Sequence, residues 1–69
     1  MYILQEIQTN GATTSLLTPV QRDTRAEIES VFYTTCGSAV ISNVPVHTVM
    51  VYTDEGFPIA ELTKCFKHE

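Results

Sequence analysis

Cys36 and His47 are the residues in this chain whose types match a covalent catalyst. A thiolate nucleophile needs an adjacent base, and the base needs a third group to orient it. No Asn or Asp is placed to orient His47, and no nucleophile motif surrounds Cys36. Cys36 therefore reads as a small hydrophobe buried in a helix. His47 sits early in a strand-like run, Val46-His47-Thr48-Val49. It is either a structural histidine or part of a cleft at the helix–sheet boundary. The adjacent carboxylates have plain roles too: Glu27 with Glu29 belongs to a helix start, and Asp54 with Glu55 to a turn. Cys36, Cys65, His47 and His68 lack the close spacing that fixes two ligands on one element, so no metal and no cofactor is expected. No secretory signal opens the chain, and the two cysteines read as free thiols in a reduced, cytoplasmic setting.

Arg22 and Arg25 form the more distinctive pair. They flank a helix start, where the macrodipole favours negative side chains. Two guanidinium groups beside free backbone N–H groups suit phosphate. The ordinary alternative is a solvated pair balancing Asp23 and Glu27. Tyr33 lies off the apolar stripe of that helix and is placed for an interface or for stacking. The candidate ligand-binding set is thus Arg22, Arg25, Tyr33 and His47. The arginines would hold phosphate, Tyr33 would stack and His47 would hydrogen-bond.

These residues must be positioned by very little chain. Sixty-nine residues make one compact domain, residues 1–69. A domain of this size has a thin stability margin and gains from a staple. With disulfide and metal set aside, a partner chain remains. The net charge is −4, from four Lys plus Arg against eight Asp plus Glu. So few cations make no basic stripe, which argues against long DNA or RNA as a partner. No apolar run approaches the roughly 20 residues of a membrane span.

Residues 2–9 alternate as a strand, with Ile3, Gln5 and Ile7 on one face and Tyr2, Leu4, Glu6 and Gln8 on the other. Asn10-Gly11 signals a type I′ hairpin into a second strand over Ala12–Thr18, which Pro19 ends. Thr24-Arg25-Ala26-Glu27 is a capping box, so a helix should start at Arg25. Its apolar stripe is Ile28, Val31, Phe32, Thr35 and Ala39, and Asn43 and Pro45 mark its end. Thr34 to Ser38 are poor helix formers whose merit is smallness, which permits close approach of another backbone. Val46–Thr53 and Phe57–Phe66 are the last two strands, joined at Asp54-Glu55-Gly56. The tail Lys67-His68-Glu69 should fray. The expected class is α+β: ββαββ, an antiparallel sheet with one helix on one face.

One helix covers one face, yet both faces of this sheet carry apolar side chains. His47, Val49 and Val51 oppose Val46, Thr48, Met50 and Tyr52. Ile59 and Cys65 oppose Ala60, Leu62 and Phe66. Monomers rarely keep a contiguous exposed apolar patch. A homo-oligomer is expected, formed through the uncovered face or through the helix.

Leu4-Gln5-Glu6-Ile7-Gln8, Ala26-Glu27-Ile28-Glu29-Ser30-Val31-Phe32-Tyr33 and Val44-Pro45-Val46-His47-Thr48-Val49-Met50-Val51 resemble segments of a group of short proteins encoded by phages and prophages of gut bacteria. The resemblance spans nearly the whole chain and carries over no functional residues. It implies a phage accessory protein acting in the host cytoplasm. Small oligomeric phage proteins without catalytic motifs are often counter-defence factors. One class of these, the sponges, sequesters nucleotide immune signals between subunits. The expectation is therefore a non-enzymatic homo-oligomer that binds a small anionic ligand such as a nucleotide. The alternative is a protein–protein module that docks on a host factor or serves virion assembly.

Overall fold

The computed structural model describes residues 1–68. One helix packs on one face of a five-stranded antiparallel sheet, the α+β arrangement that the hydrophobic patterning predicts. The strands are β1 (Tyr2–Asn10), β2 (Thr13–Leu16), β3 (Val20–Arg22), β4 (Val46–Thr53) and β5 (Pro58–Lys67), and α1 spans Arg25–Val40. β1 and β4 form the centre of the sheet. β5 lines one edge, while β2 and β3 share the other, both pairing with β1.

That shared edge corrects the sequence expectation. Instead of one strand over Ala12–Thr18, the chain makes β2 and then, past Pro19, a third short strand against the other end of β1. Proline has no N–H to donate, so the ladder breaks there and resumes at Val20. The gap is bridged from β1. The Gln5 side-chain amide donates to the Leu17 carbonyl at 2.6 Å, and the Leu17 N–H donates to the Glu6 carbonyl at 3.0 Å. Arg22 consequently lies within β3, not in a loop ahead of the helix.

The first hairpin also differs from expectation. Asn10 pairs with Thr13, so the two-residue loop is Gly11-Ala12. Gly11 has φ +64°, and among the other described residues Gly56 alone has a positive φ. Positive φ at the first central position alone is the type II′ requirement, where glycine is preferred.

Thr24 caps α1 as its sequence predicts. The Glu27 N–H donates to Thr24 Oγ1 at 3.2 Å. The Glu27 carboxylate accepts from the Thr24 hydroxyl at 2.8 Å, not from the backbone N–H expected of a full capping box. The helix continues through Thr34 to Ser38 because Phe32 and Ala39, on either side, are anchored in the core. Packing thus outweighs weak propensity. Gly37 faces open space, with nothing within 4 Å of where a Cβ would be. Within this chain its smallness serves no close approach. Gly37→Ala is therefore expected to stabilise the protein by about 1 kcal/mol, the glycine–alanine difference in a helix. Urea unfolding checks this. A destabilised variant would mean that another backbone sits against the outer side of α1.

The core is Leu4, Ile28, Phe32, Ala39, Val49, Val51 and Leu62, lying between α1 and the sheet. In β5 the register shifts opposite Met50 to Tyr52. This irregularity overturns simple alternation, because Ile59 packs against the core with Leu62 and Phe66 instead of opposing them. The tail is also better ordered than expected. Lys67 belongs to β5, the His68 N–H donates to the Pro45 carbonyl at 2.7 Å, and His68 Nε2 donates to the Ala39 carbonyl at 2.9 Å. Glu69 lies outside the described residues.

Candidate functional site

The four residues singled out by sequence do not converge. His47 is 3% exposed, on the helix-covered face of β4, and its Nε2 pairs with Glu6 of β1. A ring N–H held by a carboxylate fixes which nitrogen carries the proton. The other nitrogen, Nδ1, is buried without a partner among the described residues. Arg25 is engaged within the chain. Its Nη2 donates to Glu61 at 3.0 Å, and its Nε lies 3.6 Å from Glu29 one turn on. The unusual cation in the first turn is thus matched by a carboxylate brought in from β5. Arg22 donates to the carbonyl of Gln21 at 2.7 Å and makes no ion pair among the described residues. Tyr33 is 65% exposed on the outer side of α1, edge-on to Phe32 at 5.4 Å. Two helical turns, or about 12 Å, separate Tyr33 from Arg25.

Cys36 is half-buried, and burial pushes its thiol pKa up, against a smaller pull downward from Lys64. A raised thiol is a poor nucleophile at neutral pH. His47, committed to Glu6, makes no hydrogen bond to it. Among the described residues no three His, Cys, Asp or Glu side chains gather as metal ligands, and no pocket opens in the single chain. No helix among the described residues is long and apolar enough to cross a membrane.

The surface with the most distinctive chemistry is the sheet face that α1 leaves uncovered. The register places Ile3, Gln5, Ile7 and Thr9 of β1 beside Tyr52, Met50, Thr48 and Val46 of β4. Leu16 joins Ile7 from one edge, 70% exposed, while Thr63 and Cys65 join Met50 and Thr48 from the other. The apolar members are Ile3, Ile7, Leu16, Val46, Met50 and Tyr52.

The polar members are largely used up within the face. Gln5 donates to the carbonyls of Glu6 and Leu17. Thr48 donates to Cys65 Sγ at 3.4 Å, and Thr63 donates to the Ile59 carbonyl at 3.0 Å. The hydroxyls of Thr9 and Thr14 share a hydrogen bond of 3.3 Å. Lys67, opposite Val46 at one corner, is the sole Lys, Arg, Asp or Glu among these described positions. The described acidic residues lie elsewhere: Glu6 on the helix side, Asp23 between β3 and α1, Glu27 and Glu29 on α1, Asp54 and Glu55 in the turn, and Glu61 beside Arg25.

Comparison with protein-family models, with curated proteins and with solved structures finds no match to this chain. The case for function therefore rests on the geometry.

Proposed function

We propose that this chain is a non-enzymatic binding module whose working unit is a homo-oligomer. The observation that carries the reading is a sheet with apolar side chains on both faces and one helix to cover them. The uncovered face favours association, because water leaves apolar surface at a gain of roughly 25 cal/mol per Å². The residues that would serve covalent chemistry point the same way: Cys36 has a raised pKa and His47 is held by Glu6. Native mass spectrometry at micromolar concentration tests the proposal. Multiple copies are expected, and a monomer at every concentration would overturn it.

A small anionic ligand, such as a nucleotide, is the cargo that the solvent-facing chemistry favours. Arg22 has no carboxylate partner among the described residues, and Tyr33 offers an exposed ring. A guanidinium and an aromatic face are the groups that hold phosphate and base. His47 and Arg25 contribute by holding the fold and not by touching the ligand, because each is occupied by a carboxylate. Titration calorimetry with linear and cyclic nucleotides measures this directly, and the heat should vanish in Arg22→Ala. Silence across the panel removes the nucleotide and leaves the oligomer standing.

A further inference from the structure

We infer that two copies of this chain pack uncovered face on uncovered face, giving a helix–sheet–sheet–helix sandwich. The inference rests on the oligomeric reading above and commits it to one surface and one occupant.

Three properties of the face favour a dry contact. Its centre pairs apolar with satisfied polar side chains, Ile7 opposite Thr48 and Met50 opposite Gln5, so Ile7 and Met50 meet diagonally across neighbouring strands. Depletion of charge is the compositional mark of an interface core, and among the described residues of this face the one charged side chain is Lys67, at a corner where it can stay hydrated. Burying a polar group is costly only when it loses its partner. Gln5, Thr48, Thr63 and the Thr9–Thr14 pair keep theirs, because those partners lie in the same chain.

The same properties identify the occupant. A partner surface must be flat, apolar and without strong charge. Elsewhere among the described residues, the first half of α1, the β4–β5 turn and Glu61 would bring carboxylates against this face, while the second half of α1 and its C-cap, with Tyr33, Val40 and Ile41 exposed, are free of carboxylates but convex. Its own uncovered face meets all three conditions, and a two-fold contact uses the same patch twice. The area is adequate. Four strands about 4.8 Å apart, with same-face neighbours about 6.7 Å apart along each, span roughly 500 Å² in plan. Side-chain relief raises this towards the roughly 800 Å² per partner of a standard interface. Stacked sheets lie about 10 Å apart, which Met50 and Tyr52 can fill by interdigitation.

Met50→Glu tests the contact while leaving the helix-side core untouched. Each two-fold contact would bury two unpaired carboxylates, so the dimer dissociation constant should rise at least about 100-fold, with the circular dichroism spectrum unchanged. Thr34→Glu, on the outer side of α1, should leave the dimer intact. Cys65 gives a second readout in the unaltered protein. Its alkylation should slow about tenfold as the concentration rises through the dimer constant, because access to the sulfur is lost. An oligomer that survives Met50→Glu, or a Cys65 rate indifferent to assembly, would overturn the face-on-face contact while sparing the homo-oligomer. A monomer at every concentration would overturn both.

Discussion

Phe32→Ala is expected to abolish the folded state at ordinary temperature. Phe32 is among the largest fully buried side chains, and it joins α1 to the sheet with Ile28. Truncating a buried phenylalanine costs about 3–5 kcal/mol, from lost transfer energy and from the cavity left behind. Globular proteins have roughly 0.05–0.15 kcal/mol of stability per residue, so a domain of this length holds about 3–10 kcal/mol in all. The loss is comparable with the whole. The poor helix formers from Thr34 to Ser38 add to the effect, because packing on either side holds that stretch helical. Urea unfolding followed by circular dichroism, at one fixed protein concentration, measures the loss. Fixing the concentration matters because association stabilises the folded form by mass action. Phe32→Leu keeps most of the volume and should lose far less. A midpoint for Phe32→Ala close to that of the wild type would mean that the helix–sheet core is not what holds this fold.

The features legible in the sequence are those set by near neighbours. The span of β4 could be read from its β-branched run, and the start of α1 from Thr24 with Glu27. The sorting of β1 into Ile3, Gln5 and Ile7 against Tyr2, Leu4 and Glu6 followed from strict alternation. What could not be read depends on partners far away in the chain. β3 is three residues long and exists because β1 offers it a ladder past Pro19. The register shift in β5, which turns Ile59 inward, leaves no composition signal. The same limit applies to the candidate site. Sequence alone offers Arg25 a phosphate, or Asp23 and Glu27, because Glu61 is on another strand, and it leaves His47 between a structural role and a cleft because Glu6 is in the first. The uncovered face was visible as an excess of apolar residues. That its threonines and Gln5 are satisfied within the face was not, since each bond needs the folded register.

The buried pair of His47 and Glu6 should be strongly coupled. Removing Glu6, as in Glu6→Leu, leaves a buried imidazole with both ring nitrogens unpartnered among the described residues, because Nδ1 already has no partner there. An unsatisfied buried polar group costs about 1–3 kcal/mol, so a loss of about 2 kcal/mol is expected. Removing the histidine, as in His47→Phe, leaves the Glu6 carboxylate facing an apolar ring. That carboxylate is only 19% exposed and keeps a long contact to Gln8 at 3.5 Å, so the loss should be at least as large, about 2–3 kcal/mol. The double replacement removes both polar groups together. Exchanging a buried pair for apolar side chains of similar volume is often neutral or better. The double variant should therefore be more stable than the sum of the single changes implies, by at least about 1 kcal/mol in a double-mutant cycle. Strict additivity would show that the two side chains do not depend on each other. The cycle also separates two possible roles for His47. If it only fills the core, the double variant should keep wild-type assembly and any nucleotide binding. If it touches a ligand, binding should fall even though stability is restored.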